Sequence, residues 1–185
     1  MRKIVIAITG ASGVCYAKRL FDCLLGKAEV HVLISERGHE LINLELGIKR
    51  DYFIKKGAIC YKNNQMNVSV ASGSFPGFAM VIVPASMGTV GRIASGISST
   101  LIERTADVFL KEKSKLIIVP RESPFNAIHL ENLLTLDRAG AIVLPASPGF
   151  YNDPKSIDDL IDFVVARILK HLDIDQELLP PYSPN

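Results

Sequence analysis

A cation and a carboxylate stand side by side at the end of an apolar segment, in the stretch LIIVPRESPFN at 116–126. Leu116 to Val119 are predicted to form a buried strand, which Pro120 ends because proline has no N–H to donate to a sheet ladder. Arg121 and Glu122 then lie where ligands bind in open parallel α/β sheets, outside the carboxyl ends of the strands. Such a pair can hold an anion and move a proton; an exposed loop ion pair is the structural alternative.

Glycine and hydroxyl residues follow a second predicted strand, Ile4 to Ile8, in the turn TGASG at 9–13. Glycines let the backbone turn sharply and approach a ligand, and the N-terminus of the helix that follows can offer N–H groups to a phosphate. Because the pattern GxGxxG is incomplete here, one phosphate is favoured over a pyrophosphate. A tight turn that binds nothing is the structural alternative.

Two further predicted strands, Val30 to Ile34 and Met80 to Val83, also end in small polar residues. Ser35 follows the first and suits the N-cap of the next helix equally well; the segment PASMGT at 84–89 follows the second. Because the carboxyl ends of parallel strands meet at one edge of a sheet, these residues are expected to lie together. This edge has room for a phosphorylated planar ligand, and the strand-end residues there include Gly10, Ala11, Ser12, Ser35, Ser86, Met87, Gly88 and Thr89.

Two cations share one face of a predicted helix that runs from Thr100 to about Lys113. Arg104 and Lys111 lie seven residues apart and hence on nearly the same side of this helix. The functional interpretation is a cationic face presented to a phosphate. The alternative is a solvated surface on which Asp107 and Lys111 form an i,i+4 pair.

An aromatic residue and an arginine near the end of the chain are further candidates. Tyr151 follows a fifth predicted strand, Ala141 to Leu144, in the segment PGFY at 148–151. The last helix, predicted from Ile157 to Leu172, carries a continuous apolar stripe, and Arg167 lies on the flank of that stripe. Compensation of the helix dipole is the alternative role for Arg167.

Short apolar strands rich in Ile and Val alternate with amphipathic segments along the chain. This alternation predicts an α/β fold, a single-domain Rossmann-like (flavodoxin-like) doubly wound parallel sheet with helices on both faces. Residues 1–185 are expected to form one domain, since this length fits a single core. Residues 175–185 are expected to form an extended C-terminal tail because of their prolines. The region 51–77 is less regular, and its segment 71–77 reads as a loop.

The overall composition excludes several classes of protein. With 21 Lys and Arg against 19 Asp and Glu, the net charge of +2 offers no basic field for nucleic acid. The three cysteines and four histidines have neither disulfide nor metal-ligand spacing, so no metal is expected. No apolar run approaches the length of a membrane span. A cytoplasmic protein that does not enter the membrane is therefore expected.

The chain resembles the flavin prenyltransferase family of UbiX type, formerly described as aromatic acid decarboxylases. The resemblance covers almost the whole chain in order. It rests on the segments TGASG (9–13), ISERG (34–38), ASGSF (71–75), PASMGTVGRIASG (84–96), LIERTADVFLKE (101–112), VPRESPFN (119–126), LPASPGFY (144–151) and DFVVARIL (162–169).

The resemblance implies a particular reaction. Such enzymes join the dimethylallyl group of dimethylallyl phosphate to N5 and C6 of reduced FMN without a metal. The product, prenylated FMN, serves as cofactor for a partner decarboxylase of UbiD type, in ubiquinone biosynthesis or aromatic acid metabolism. The family also implies a homo-oligomer, typically a dodecamer, with active sites shared between subunits.

The resemblance also implies roles for individual residues. FMN would be held by the eight strand-end residues named above, together with Arg121. Lys111, Tyr151 and Arg167 match positions that grip dimethylallyl phosphate, with Arg104 nearby. Glu122 matches a carboxylate that transfers protons. Other matching positions are Ser12 and Glu45, which are implicated in catalysis, and Ala71, Ser72 and Gly73, which would line the prenyl pocket.

Three departures from the family pattern concern local detail. Ala85 stands where many relatives have Cys, Ser98-Ser99-Thr100 replaces an Asn-rich turn, and Tyr182 in the tail stands where some relatives have Trp. Two alternatives remain at this stage. One is a flavin-dependent cysteine decarboxylase of the same fold, which would need an active-site histidine and a substrate clamp that we do not find. The other is a passive FMN-binding protein.

Overall fold

A six-stranded parallel sheet forms the centre of the computed structural model, which describes residues 1–49 and 51–179. The strands are β1 (Arg2–Ile8), β2 (Ala28–Ile34), β3 (Ile59–Lys62), β4 (Ala79–Ala85), β5 (Lys115–Pro120) and β6 (Ile142–Val143). The helices are α1 (Val14–Leu24), α2 (Glu36–Leu46), α3 (Tyr52–Lys55), α4 (Met87–Ala94), α5 (Leu101–Lys111), α6 (Ala127–Arg138) and α7 (Ile157–His171).

The strand order is β3-β2-β1-β4-β5-β6, and every neighbouring pair is parallel. The chain builds outwards from β1 to β3 and then returns to place β4 on the other side of β1. The order therefore reverses between β1 and β4. In sheets of this kind the reversal opens a crevice at the carboxyl ends of the strands, where ligands bind.

Two apolar layers cover the sheet, one on each face. Ile4, Ile6 and Ile8 of β1 pack with the buried residues of α1 and α7. Val5 and Ala7, which alternate with them along the same strand, pack with α4, α5 and α6. Because successive strand side chains point to opposite faces, a continuous apolar run in β1 serves both layers. The predicted α/β fold with helices on both faces is confirmed.

Local sequence signals fix where three helices begin. Thr100 and Glu103 form a capping box on α5, as do Ser156 and Asp159 on α7. The side chain of Ser35 accepts a hydrogen bond from the N–H of Gly38 at the start of α2. Each contact satisfies N–H groups that the helix itself leaves unpaired. The helix starts predicted at these positions are confirmed.

One strand of the sheet, β3, lies within the region that the sequence indicated only as irregular. Its four residues are exposed or half-buried, because β3 is an edge strand that pairs only with β2. It therefore lacks the apolar run by which the five other strands are recognised. The predicted loop at 71–77 follows a short 3₁₀ turn, Ser69–Ala71.

Contacts at the amino edge of the sheet hold the end of α7. A guanidinium nitrogen of Arg2 donates to the carbonyls of Leu172 and Asp173 at 3.0 and 2.9 Å. Beyond α7, Lys27 donates to the carbonyl of Asp175 at 3.0 Å, and Leu178 packs against the α1 layer. The rest of the predicted tail, including Tyr182, lies outside the described residues. In the described part of the chain, no helix has the length and apolar character that a membrane crossing requires.

Candidate functional site

The carboxyl edge of the sheet is tied together by Thr9, the last residue before the turn after β1. Thr9 is fully buried; its hydroxyl donates to the carbonyl of Pro84 at 2.7 Å and accepts from the N–H of Ser86 at 2.7 Å. Both partners belong to the end of β4, across the point where the strand order reverses. The hydroxyl therefore holds the two loops that flank the crevice in a fixed relation.

The turn after β1 already has an anionic partner within the chain. Gly13 has φ +100°, a conformation that glycine adopts readily. Its N–H and that of Val14 donate to the Glu45 carboxylate at 2.9 and 3.1 Å. Glu45 thus occupies the N–H groups of α1 that the sequence offered to a phosphate, and it lies next to Ser12.

The start of α4 is the N-terminus that remains open to an anion. Ser86 precedes this helix, but its side chain makes no capping hydrogen bond; its hydroxyl lies 3.0 Å from that of Thr89. By contrast, Glu45 fills the corresponding place on α1, and Ser35 does so on α2. Helix N–H groups without an acceptor attract phosphate, so the geometry favours α4 over α1 as the phosphate site.

A pocket of about 460 Å³ opens beside this N-terminus, within the usual size range for small-molecule sites. Gly10, Ser35, Ser86 and Thr89 line it together with Arg92. Hydroxyl groups from the ends of two strands, β2 and β4, therefore face one space, as the strand-end argument predicts. These donors suit a phosphate group, so the residues present fit the phosphate of a flavin nucleotide.

Other predicted flavin-binding residues, Ala11, Met87 and Gly88, are chain neighbours of residues that line this pocket. Ala11 and Met87 are buried, with 4% and 6% exposure. Gly10 lies so close to Arg37 that a Cβ there would meet the Arg37 Cβ at 2.7 Å, which accounts for the glycine. Gly88 is in the first turn of α4, where its N–H belongs to the open helix end.

Arg121 and Glu122 lie at the same edge, next to the turn after β1. Nε of Arg121 donates to the carbonyl of Ser12 at 3.0 Å, which joins the end of β5 to that turn. The exposed carboxylate of Glu122 accepts only from the N–H of Ser123, at 3.0 Å, among the contacts that the described residues make. Its other oxygen is therefore directed to solvent or ligand, as proton transfer requires.

A second group of predicted residues lies along α5, and we call it the α5 group: Ala71, Ser72, Gly73, Arg104 and Lys111. Nε of Arg104 donates to the carbonyl of Ala71 at 3.2 Å. A Cβ at Gly73 would lie 2.8 Å from Nζ of Lys111, so the loop passes directly against that ammonium. Two cations and the predicted prenyl-pocket loop are thus brought together.

The ion pairs on α5 differ from the predicted surface pairing. Asp107 pairs with Arg104 at 2.8 Å rather than with Lys111. Lys111 instead pairs with its neighbour Glu112 and is about half-exposed. The interpretation of an Asp107–Lys111 pair is therefore wrong, because Asp107 lies within reach of the arginine one turn earlier.

A chain of polar contacts through the buried His31 reaches Ser69, two residues before the loop of the α5 group. His31, 2% exposed, lies between Glu29 (2.9 Å) and the hydroxyl of Tyr61 (3.0 Å), which in turn lies 3.4 Å from that of Ser69. Because the carboxylate only accepts, Nε2 of the neutral imidazole donates to it and Nδ1 accepts from Tyr61. Burial lowers the pKa of His31 even though Glu29 opposes this change.

The remaining two predicted residues lie on the other face of the sheet, and we call them the α7 group: Tyr151 and Arg167. The Tyr151 ring packs edge-on against Phe163, with centroids 5.7 Å apart. Phe163 is one helical turn before the exposed Arg167. Both members are therefore presented on the outer surface of α7.

Within one protomer these groups cannot meet around one small molecule. Lys111 precedes β5 and lies at the amino edge of the sheet, whereas Glu122 follows β5 at the carboxyl edge; β5 is about 17 Å long. The α7 group is separated from the α5 group by the sheet itself, since α7 and α5 pack on opposite faces. The predicted residues thus form three surfaces: the carboxyl edge, the α5 group and the α7 group.

The cysteine thiols are partly buried. Burial raises the pKa of Cys15, and it raises that of Cys60 to about 11, so both are protonated near neutral pH. Across residues 1–49 and 51–179, no three His, Cys, Asp or Glu side chains gather as a metal site would need.

The sequence argument missed Arg92 and the central place of Thr9. Arg92 lines the pocket from the second turn of α4, three residues after Thr89. That helical spacing was the available signal, since residues i and i+3 lie on one face. Thr9 could be recognised only from the hydrogen bonds that its buried hydroxyl makes.

Comparisons with known proteins agree on one family. A family model described as Flavoprotein matches residues 1–169. The chain is 50% identical over 176 residues to the flavin prenyltransferase UbiX of Methanocaldococcus jannaschii, covering 95% of this chain and 96% of that protein.

Two solved structures have nearly the same fold. The structure of AnUbiX (PadA1) in complex with FMN and dimethylallyl pyrophosphate has a TM-score of 0.96 and 38% identity, covering 99% of this chain and 98% of that one. A dodecameric FMN-dependent UbiX-like decarboxylase from Escherichia coli O157:H7 has a TM-score of 0.95 and 33% identity, covering 98% and 100%.

Proposed function

This chain belongs to the flavin prenyltransferase family, and we propose that it transfers the dimethylallyl group of dimethylallyl phosphate to N5 and C6 of reduced FMN. The observation that carries the proposal is the carboxyl edge of the sheet. There an uncapped helix N-terminus and three hydroxyls face one pocket, and Arg121 and Glu122 follow β5 at the same edge, where Arg121 contacts the turn after β1. A passive flavin carrier would need the pocket but not the exposed carboxylate.

The flavin nucleotide is held through its phosphate at the start of α4, by Ser35, Ser86 and Thr89. Ser12 and Arg121 would hold its ring, and Gly10 and Ala11 belong to the same turn after β1. Glu45 holds the N–H groups of that turn and so fixes the backbone around Ser12. Arg121 and Ser12 are joined by a hydrogen bond of 3.0 Å, so they position the ring jointly.

The departing phosphate needs cations, since breaking an allylic C–O bond leaves a phosphate anion and an allylic cation. Lys111 and Arg104 of the α5 group, and Arg167 with the Tyr151 hydroxyl from the α7 group, supply them. Fixed charges aimed at the leaving group stabilise the transition state without having to reorganise. The loop Ala71 to Gly73 lines the space for the prenyl chain in this proposal.

Glu122 handles the proton transfer that accompanies ring closure. The bound reduced flavin supplies the nucleophilic nitrogen and the ring carbon. Bonding at N5 would release one proton, which would leave with the phosphate; bonding at C6 would need a proton added to the prenyl double bond and one lost from C6, so the net gain would be C5H8. Glu122, with one carboxylate oxygen free of protein donors among the described residues, can take up and return a proton at that place. The Ser12 hydroxyl lies on the same turn and can relay it.

Surfaces from neighbouring copies complete the site in this proposal. The carboxyl edge, the α5 group and the α7 group lie apart in one protomer, and all three match the family's substrate-binding positions. A homo-oligomer in which the α5 and α7 groups of other copies cover the carboxyl edge brings them together. A dodecamer, as in the Escherichia coli relative, is the assembly we propose.

The product is proposed to serve a UbiD-type decarboxylase, as the family resemblance implies. Prenylated FMN is a modified flavin nucleotide, so it must leave this site and bind another protein. Residues 1–185 are proposed to act as one flavoprotein domain, with 175–185 as its tail.

The function is tested by incubating the protein with reduced FMN and dimethylallyl phosphate under anaerobic conditions, with a chelator present. We expect the flavin mass to increase by one C5H8 unit and inorganic phosphate to be released in equal amount. An unchanged flavin mass, with FMN bound, would indicate a carrier. Release of carbon dioxide from a peptidyl-cysteine would indicate a cysteine decarboxylase instead.

A further inference from the structure

An arginine that no motif singles out lies beside the proposed phosphate site. Arg92 lines the same pocket as Ser35, Ser86 and Thr89, and its side chain is 47% exposed. Nη2 of Arg92 lies 3.5 Å from the Thr89 hydroxyl. Nη1 lies 3.6 Å from the position that a Cβ on Gly88 would take. The end of the guanidinium therefore lies over the first turn of α4.

A buried carboxylate holds this guanidinium in place. Glu103 is 1% exposed and accepts from Nε of Arg92. It also accepts from the N–H and hydroxyl of Ser99, at 3.0 and 2.8 Å, and from the N–H of Thr100 at 3.0 Å. Burial alone would raise the pKa of Glu103, but the hydrogen bonds from Arg92 and Ser99 lower it below its ordinary value. An ionised, fully bonded Glu103 orients Arg92.

This orientation leaves the two terminal guanidinium nitrogens of Arg92, Nη1 and Nη2, available to a ligand. Glu103 takes Nε, so the terminal nitrogens point away from the buried pair and towards Thr89. Arginine forks bind phosphate oxygens with two parallel N–H donors. An arginine held in advance loses less side-chain entropy on binding than a mobile one.

We propose that Arg92 binds the phosphate group of the flavin nucleotide and makes the site prefer FMN to riboflavin. The proposal rests on the proposed function, since it assigns one more contact in the same pocket. The open helix end and three hydroxyls supply neutral donors, and Arg92 supplies a positive charge that is held in place, whereas Arg37, which also lines the pocket, is 79% exposed and pairs with Glu40. Selectivity for the phosphorylated flavin follows from that charge, because riboflavin has no phosphate with which Arg92 could pair.

The test compares the dissociation constants of oxidised FMN and riboflavin, measured by quenching of flavin fluorescence. For Arg92→Gln we expect FMN binding to weaken about tenfold, the effect of losing one charge-assisted hydrogen bond, with riboflavin binding unchanged. The double variant Arg92→Gln with Glu103→Gln avoids leaving a buried carboxylate unpaired, and it should show the same loss of preference.

Arg19→Gln is the matched control. Arg19 is 42% exposed and pairs with the largely buried Asp162 at 2.6 Å, on the α1–α7 face away from the pocket. It should leave the FMN-to-riboflavin preference as in the unsubstituted protein. If both Arg92 variants keep that preference, or weaken both flavins equally, the proposal is wrong. If the unsubstituted protein binds neither flavin, the proposed function itself has failed.

Discussion

Glu122→Gln is expected to lower the rate of prenylated FMN formation about 100-fold or more, the usual contribution of a general acid–base group. The glutamine oxygen can still accept from the N–H of Ser123, so the loop conformation should persist. Affinity for FMN should therefore change little. Only the ability to take up and return a proton is removed. Product formation is followed by mass spectrometry, and FMN affinity by fluorescence.

The control for this variant is Glu131→Gln. Glu131 is an exposed glutamate on α6, and its substitution removes the same charge. It should retain normal turnover. Equal rates in Glu122→Gln and the unsubstituted protein would remove Glu122 from the mechanism. A loss of FMN binding in Glu122→Gln would show that the carboxylate acts in binding instead.

Lys111→Gln is expected to lower kcat/KM for dimethylallyl phosphate by about 100-fold, as for the loss of a group that stabilises developing charge. The ammonium lies against the loop at Gly73 and is half-exposed, so an amide of similar length fits the same space. FMN affinity should be unaffected, because the carboxyl edge of the same protomer is unchanged. Initial rates at varied donor concentration measure the effect.

Lys113→Gln provides the matched comparison for Lys111. Lys113 is exposed, two residues further on and beyond the end of α5, so its removal alters net charge equally. If Lys113→Gln reduced the rate as much as Lys111→Gln, the effect would come from the overall electrostatic potential of the protein and not from a direct contact between Lys111 and the donor phosphate. Unchanged kinetics in Lys111→Gln would remove the α5 group from the site.

The carboxyl edge was predictable because its signals are local. Apolar runs followed by TGASG, by Ser35, by PASMGT and by Arg121-Glu122 each identify a strand and its end. The parallel topology then places all these ends on one edge. The capping boxes of α5 and α7 are likewise sequence patterns of a few residues. These features depend on neighbours in the chain, and single-sequence reasoning detects them.

Features that depend on distant contacts could not be predicted. Nothing in the sequence indicates that Glu45 reaches the N–H groups of Gly13 and Val14, some thirty residues away. β3 lacked an apolar run because one of its sides has no neighbouring strand. Lys111 and Glu122, by contrast, precede and follow β5, so the predicted parallel sheet already separates them, although the family resemblance assigns both to one site.

The most direct test of the shared site combines the two inactive variants in one assembly. Glu122→Gln and Lys111→Gln chains carrying different affinity tags are co-expressed, and doubly tagged particles are purified and assayed for prenylated FMN. If Glu122 and Lys111 act from different copies, random assortment leaves roughly a quarter of the sites intact, and about that fraction of normal activity returns. Mixed assemblies as inactive as either parent would contradict a site built from separate copies.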